Sequence, residues 1–430
     1  MSVGKLQPVR GTRDLLPEEC YKFWYIRDIA HDVGERYGFV PVETPIFEFQ
    51  DVFLKTLGDS SDIIGKEMYS FPDRGGDMLV LRPELTAAVA RMLICERFAL
   101  PARLFSFGPV FRYERPQKCR QRQFHQINYE HFGAGYTADA ELMALAYDIL
   151  GALGLRSSVC LEINSLGGQD SILKYRNGLL KYFEKHEHAL SEDSRRRLQT
   201  NPLRILDSKD RGDAAILCGA PVIEDFYDDE SKMMFDGVMR QLENLGIPYT
   251  VNPKLVRGLD YYCGVVFEFK TTHLGSQDAV IAGGRYDKLV ASMGGGDVPA
   301  VGFAGGVERL ASLVAYNHNT RFSVAFLPLG EEAVKYAIRF AHELRGRGIR
   351  VLCDGAVKKL KTSLKNADRS GADLALILGD EEIAKGEVLC RHMATGLQET
   401  VSMGKLGNYV SGMESSAQGS NRAALSSAGE

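Results

Sequence analysis

Five cations fall within eleven positions of the stretch FRYERPQKCRQRQFHQINYEHF at 111–132: Arg112, Arg115, Lys118, Arg120 and Arg122. A strand–loop–strand hairpin with a cationic loop suits a polyanion, either nucleotide phosphates or a nucleic-acid backbone. The residues after the loop have a different character. Gln126, Asn128 and Glu130 alternate at period two, so all three face one side of a strand. A polar face on a central strand is costly unless it lines a pocket. The bland alternative is the solvent face of an exposed hairpin.

Four further segments concentrate chemistry. In RPELT at 82–86, Glu84 and Thr86 sit at the start of a helix, either facing a cleft or capping that helix. In LVRGLDYYCGVVFEF at 255–269, Arg257, Asp260, Tyr261 and Tyr262 crowd around Gly258 before an apolar strand. An Arg in so tight a turn would clamp a phosphate, or it would be half of a surface Asp–Arg pair. AGGRYDKLV at 282–290 has glycines that permit close backbone approach. GFAGGVERL at 302–310 opens a helix on small residues and ends in Glu308–Arg309, where Arg309 is either functional or a helical surface residue. Other patterns fail. Gly58, Gly65 and Lys66 lack the spacing of a phosphate loop. His186 and His188 are two apart in a charged helix, and His125 and His131 have no third ligand nearby in sequence.

Apolar spacing supplies the elements that must carry these residues. Residues 18–36 and 85–98 read as helices, and 78–81, 104–111 and 123–132 as strands. Residues 39–45 read as a strand broken at Pro45. From Gly167 to about Pro248 the texture turns helical and charged, as in an insertion. Strands then resume at 249–252, 265–269 and 280–282. After the polar segment YNHNTRF at 316–322 the pattern becomes βαβαβ, a small parallel α/β domain. The end, 411–430, is rich in Ser, Ala and Gly and is expected to be disordered.

Composition excludes several classes. The 430 residues carry 52 Lys and Arg against 56 Asp and Glu, a net charge of −4, so the chain is no basic nucleic-acid coat. An RNA partner would need local basic patches. Lys358, Lys361, Lys365 and Arg369 form one such stripe at helical steps, or a merely solvated face. With 45% hydrophobic residues the chain is not disordered. No apolar run reaches ~18 residues, so no membrane helix is expected. The eight cysteines are scattered without CxxC pairs, which points to reduced, buried thiols in a cytoplasmic protein and to no zinc.

Together these segments resemble the class II histidyl-tRNA synthetases, from RGTRDLLPEE at 10–19 to about residue 402. VETPIFE at 42–48 is similar to motif 1, which builds the family's dimer interface. FRYERPQ with QFHQINYE resembles motif 2, and GFAGGVERL motif 3. LVRGLDYY and GGRYD resemble the two signatures specific to histidyl enzymes, and NPLRILDSK at 201–209 the insertion domain. The resemblance implies an α/β fold with an α+β catalytic core. It comprises an antiparallel sheet flanked by helices at 1–166 and 249–318, a helical insertion at 167–248, and a C-terminal βαβαβ anticodon-binding domain at 322–405.

The resemblance also implies roles. Arg112 would hold the α-phosphate with Arg257 opposite it, and Arg309 the γ-phosphate side. Arg120 would take the pyrophosphate side and Glu114 the adenine end. Glu84, Thr86 and Gln126 would receive the histidine ammonium. Glu130 and Tyr262, with Tyr286 nearby, would bind the imidazole. Arg115 and Gln117 would meet the tRNA acceptor end, and the C-terminal stripe the rest of the tRNA. The implied activity is ATP-dependent formation of histidyl-adenylate, then transfer of histidine to the 3′ end of tRNA(His), by a homodimer using Mg2+. A non-catalytic regulatory paralogue of histidine biosynthesis is the competing reading. Such proteins typically lose the C-terminal domain and some catalytic residues, whereas this chain has that domain and has Arg112, Arg257, Glu130 and Arg309. Departures from the family pattern are Leu85 and Cys119 for Gly, Gln121 for Tyr, Cys263 for Asn, and the larger Asn128–Tyr129 before the pocket Glu.

Overall fold

In the computed structural model, which describes residues 6–57, 63–115, 120–275, 278–316, 321–354 and 359–427, the alternation around Glu130 becomes the strand Gln123–Phe132. Ile127 and Tyr129 share a core with Phe23, Ile26 and Ala30 of helix Pro17–Arg36 and with Phe105 and Phe303. The opposite side of the strand carries Gln126, Asn128 and Glu130, all buried. That settles the alternative raised by the pattern: the polar face is not solvent-exposed. The chain divides into two units, Met1–Tyr316 and Asn317–Glu430, with the division inside the expected polar segment.

The first unit holds an eight-stranded sheet. Its order is 40–41, 102–111, 123–132, 300–306, 279–285, 263–270, 160–165 and 249–251. The six central strands are antiparallel, as expected. The outermost pair at each edge is parallel, which the sequence reading did not anticipate. Both edge strands are reached by long crossovers, and those are the connections that permit parallel pairing. Strand 40–41 is also shorter than expected, because Pro41 and Pro45 lack the N–H a ladder needs. Helix Thr86–Glu96 packs on the polar side of the sheet, where Val89, Ala90 and Leu93 share a core with Leu104, Phe132, Tyr262 and Tyr286.

A small sheet of 47–49, 78–81 and 69–72 flanks this core. Its Phe47 is 56% exposed, Phe49 58% and Met78 44%. From it the chain runs into Arg82, whose buried guanidinium donates to the Thr44 carbonyl at 2.6 Å and the Pro109 carbonyl at 2.9 Å. Gly108 makes room for that side chain, since a Cβ there would meet Arg82 Nη2 at 2.4 Å. Arg82 therefore ties the small sheet, the hairpin and the start of helix Thr86–Glu96 into one rigid corner.

Residues 167–248, expected as a helical insertion, contribute to two cores. Helices Gln169–Glu184, Glu192–Thr200 and Arg211–Cys218 bury Tyr175, Leu179, Phe183, Leu198, Ile205 and Leu217 in a core of their own. Helix Asp229–Asn244 instead buries Phe235, Val238 and Leu242 in the main core, under the central sheet. Charged residues on its outer side had given it the texture of the insertion.

In the second unit the expected βαβαβ is present. Strands 350–352, 323–328 and 374–378 are parallel neighbours, joined through helices Glu331–Gly346 and Leu360–Arg369. Two antiparallel strands, 387–392 and 398–402, extend the sheet beyond the reading. The second of these, QETVS, is exposed apart from Val401 and carries no apolar signal. The tail also differs from expectation: a helix spans Leu406–Ser427. Its start is anchored by fully buried Leu406 and Val410, and Ala and Ser residues continue the helix without opposing it.

Candidate active site

A cavity of about 240 Å³ opens over the polar side of the sheet, lined among others by Glu84, Thr86, Arg112, Gln126, Arg257, Tyr262 and Arg309. Glu114, Arg120, Tyr261, Glu268 and Glu308 also line it. Strand 123–132 supplies Gln126, the start of helix Thr86–Glu96 supplies Glu84 and Thr86, and the turn before strand 263–270 supplies Arg257 to Tyr262. Glu130 and Tyr286 lie behind this wall. Thr86 Oγ1 donates to Glu130 Oε1 at 2.5 Å, and the Tyr286 ring is 6.2 Å from that of Tyr262.

Glu130 is fully buried, and its Oε2 has no partner among the described residues; the Tyr286 hydroxyl and Gln126 Oε1 are likewise unpartnered. Burial pushes the Glu130 carboxyl well above the usual carboxylate range; hydrogen bonds from Thr86 and Asn128 oppose this, and the Glu84 charge adds to it. A buried polar atom left empty in so polar a wall is a place for a donor. Glu84 itself accepts from the backbone N–H groups of Thr86 at 2.6 Å and Ala87 at 2.8 Å. Both local readings of RPELT therefore hold, because the same carboxylate caps the helix and lines the cavity.

The cations gather at the other side of the cavity. Arg112 Nε donates to the Pro83 carbonyl at 2.8 Å, with its guanidinium 5.3 Å from the Phe124 ring centre. Arg257 pairs with Glu268 and lies 5.5 Å from the Tyr262 ring centre, with its Nε unpartnered. Glu268 is shared, since Lys270 reaches its Oε2 at 3.4 Å. Arg309 donates to the Ala279 carbonyl at 2.7 Å, and Arg120 pairs with Glu114. Four guanidinium groups converging on one cavity fit a ligand rich in phosphate.

The structure thus brings together Glu84, Thr86, Arg112, Glu114, Arg120, Gln126, Arg257, Tyr262 and Arg309 around one cavity, with Glu130 and Tyr286 packed behind its lining. Arg115 is exposed on the hairpin loop. Lys361, Lys365 and Arg369 are exposed on one side of helix Leu360–Arg369, opposite buried Ser363 and Ala367. Gln117 and Lys358 lie outside the described residues. Sequence reasoning missed Glu268 and Glu308 as site residues. Glu308 accepts from the His125 backbone N–H at 3.0 Å and faces His125 Nδ1 at 3.1 Å. The lone carboxylate in the apolar strand CGVVFEFK was the available signal for Glu268. A pair separated by 183 positions, as Glu308 and His125 are, leaves no local signal.

Comparison with known proteins agrees with this geometry. A family model described as "Histidyl-tRNA synthetase" matches residues 11–310, and one described as "Anticodon binding domain" matches residues 323–413. The chain is 89% identical over 430 residues to a curated histidine–tRNA ligase of Anaplasma marginale (strain Florida), covering 100% of both chains. The crystal structure of apo S. aureus histidyl-tRNA synthetase is similar at TM-score 0.78 and 33% identity, covering 94% of this chain and 99% of that one. At 23% identity and TM-score 0.63, a structure from Bacillus halodurans described as an ATP phosphoribosyltransferase regulatory subunit/histidyl-tRNA synthetase shares the fold, covering 87% of this chain and 98% of that one.

The buried carboxyl makes a prediction about stability. A raised folded-state pKa means the native protein holds a proton that the unfolded chain releases, so ligand-free stability falls as pH rises above the ordinary Glu range. Glu130→Gln removes that cost. The ligand-free variant should be more stable than the parent at pH 8, by about 1.4 kcal/mol for each unit by which the folded pKa exceeds the unfolded one. The difference should vanish near pH 4. Urea unfolding at both pH values checks this; equal stabilities at pH 8 would mean the carboxyl carries no such cost.

Proposed function

The chain belongs to the histidyl-tRNA synthetase family, and on that premise we propose how the residues of its cavity divide the work. The reaction is known: histidine and ATP give histidyl-adenylate and diphosphate, and histidine then passes to tRNA. In our reading the histidine carboxylate attacks the α-phosphorus in line, a P–O bond forms, and diphosphate leaves. The protein needs no nucleophile of its own; it supplies position and positive charge. Arg112 and Arg257 hold opposite sides of the α-phosphate as charge builds there. Arg309 and Arg120 hold the outer phosphates, and Glu114 the adenine end. Magnesium accompanying ATP would be held mainly through the substrate's phosphates and would supply positive charge to them. Among the described residues there is no group of three or more His, Cys, Asp or Glu able to hold an ion unaided.

Glu130 and Tyr262 read the imidazole, with Tyr286 beside them, while Glu84, Thr86 and Gln126 receive the ammonium. The observation that carries this reading is the unpartnered acceptor, Glu130 Oε2, directly behind the lining of a cavity that four arginines share. An imidazole N–H fills that acceptor; a side chain without a donor leaves it unpaired, at a cost of about 1–3 kcal/mol. The regulatory alternative is disfavoured by the full-length 89% identity to a ligase and by the anticodon-binding domain at 323–413. Arg115 and Gln117 then approach the tRNA acceptor end. Among the described residues no helix is long and apolar enough to cross a membrane. As is usual for aminoacyl-tRNA synthetases, we place the enzyme in the cytoplasm.

A second copy of the chain would cover Phe47, Phe49 and Met78 in a homodimer. Through Arg82, that contact would brace both the hairpin and the start of helix Thr86–Glu96. Replacing Phe47 and Phe49 together by Asp should convert a dimer into monomers in sedimentation. A parent protein that already sediments as a monomer would refute the interface.

Arg257 serves chemistry more than binding in this reading. Arg257→Ala should slow adenylate formation by about 2–4 kcal/mol of barrier, as for loss of one preorganised charge donor. Histidine affinity should change far less. Rapid-quench measurement of the first turnover decides; a parental rate in the variant would assign Arg257 to structure, through Glu268.

The exposed side of helix Leu360–Arg369 binds the tRNA backbone. Lys361→Glu with Lys365→Glu should weaken tRNA binding and lower its salt slope by about one unit for each phosphate no longer neutralised. Histidine-dependent exchange of diphosphate into ATP, which needs no tRNA, should stay near normal. Unchanged charging would mean this side of the helix is only solvated.

A further inference from the structure

The two oxygens of Glu130 are not equivalent. Thr86 Oγ1 donates to Oε1 at 2.5 Å and Asn128 Nδ2 donates to the same atom at 2.8 Å, while Oε2 has no partner among the described residues. The Asn128 amide is itself oriented. Ser106 Oγ donates to its Oδ1 at 3.2 Å, which turns the NH2 group toward the carboxyl. The flipped amide would set oxygen against oxygen. Ser106, Asn128 and Glu130 are 3%, 1% and 0% exposed. Water therefore cannot substitute for a missing donor without a cavity being opened.

Around the carboxyl stand Glu84 and Thr86 at the helix start, Tyr261 and Tyr262 from the turn, and Tyr286 after strand 279–285. Glu84 is a like charge, and no cation bonds to Glu130 among the described residues. The carboxylate form thus depends on two donors. Thr86 lines the cavity. Asn128 lies outside the cavity lining, and its Nδ2 makes longer contacts with Thr86 Oγ1 at 3.4 Å and the Phe303 carbonyl at 3.5 Å besides the one to Glu130.

We propose that Asn128 is a positioning residue for histidine recognition: oriented by Ser106, it pins Oε1 of Glu130 so that Oε2 alone faces the imidazole N–H. The proposal rests on Glu130 being the imidazole acceptor. Nothing in the local pattern requires Asn at this position, since Leu has the same branched shape and number of side-chain heavy atoms and is apolar, as a buried strand favours. What Leu lacks is the directed donor. Gly302 completes the arrangement, because a Cβ there would come within 1.9 Å of Oε2 and 2.7 Å of the Tyr286 hydroxyl.

The test is a double-mutant cycle on the full-length enzyme, reading KM for histidine and KM for ATP in diphosphate exchange. Asn128→Leu should raise the histidine KM about tenfold or more, the loss of a hydrogen bond to a charged group. The ATP KM should stay within about twofold. Glu130→Gln alone should also raise the histidine KM. On that background, with no charge left to hold, Asn128→Leu should add about twofold at most. Equal factors in both backgrounds would make Asn128 a packing residue and overturn the proposal. So would an unchanged histidine KM in Asn128→Leu while Glu130→Gln raises it. An unchanged histidine KM in Glu130→Gln would instead overturn the role of Glu130 itself, and the proposal with it. If Asn128→Leu folds poorly, Asn128→Asp keeps the shape and replaces the donor by a repelling oxygen. It should give the same rise in histidine KM and the same non-additivity.

Discussion

A carboxyl group with no cation bonded to it among the described residues, fully buried on a central strand, is the constraint around which this enzyme is arranged. Glu130 would be cheaper as almost any apolar residue. Keeping it requires donors on its hidden side, and these come from Thr86 and Asn128. It also requires those donors to be immobile. Thr86 is fixed because it starts a helix that Glu84 caps, and that helix start is fixed because the buried Arg82 guanidinium holds the corner it grows from. The hydrogen bonds of RPELT thus lead inward to one oxygen atom. The other oxygen has no partner among the described residues, and in the proposed reading it awaits the imidazole.

The phosphate side of the cavity follows the opposite logic. Its arginines are partnered before substrate arrives: Arg257 by Glu268, Arg120 by Glu114, and Arg112 and Arg309 by backbone carbonyls. Four unpaired guanidinium groups in one small cavity would repel each other and cost desolvation. Neutralising partners let the cluster persist, and they orient each group while leaving donors for phosphate oxygens. Glu268 answers to both Arg257 and Lys270. Arg257 can therefore give part of its charge to a phosphate without leaving the carboxylate bare. Both sides of the cavity thus use the same two ingredients, carboxylate and arginine, with burial deciding which of them is left without a partner.

Much of this was legible in the sequence wherever a local period existed. Helix Pro17–Arg36 and the two hairpin strands follow from apolar spacing, and the polar face of Gln126, Asn128 and Glu130 follows from period two. Pairings between distant residues were not legible. His125 meets Glu308 across 183 positions, and Ser106 orients Asn128 from a neighbouring strand. Neither has a local signature. Elements with mixed surfaces also misled. Helix Asp229–Asn244 reads as part of a charged insertion, yet one stripe of it enters the main core. Strand 398–402 is too exposed to carry an apolar pattern, and ladder hydrogen bonds alone place it.

The glycines of strand 300–306 join the two halves of the site. Glycine weakens a strand, because it gives up more backbone freedom on folding and packs nothing. Here the side chain that is absent is what the site needs. At Gly302 a Cβ would strike Glu130, at Gly305 it would lie 2.9 Å from Ile127, and at Gly283 on the neighbouring strand it would lie 2.2 Å from the Gly302 carbonyl. Such a strand cannot hold its own place. It is held by ladders on both sides, to 123–132 and to 279–285. The first of those strands carries the buried Glu130 carboxyl, and the second leads directly into Tyr286. The weak strand is therefore central by necessity. Its flat, side-chain-poor surface lets a buried carboxylate and a cavity of arginines occupy neighbouring ground on one sheet.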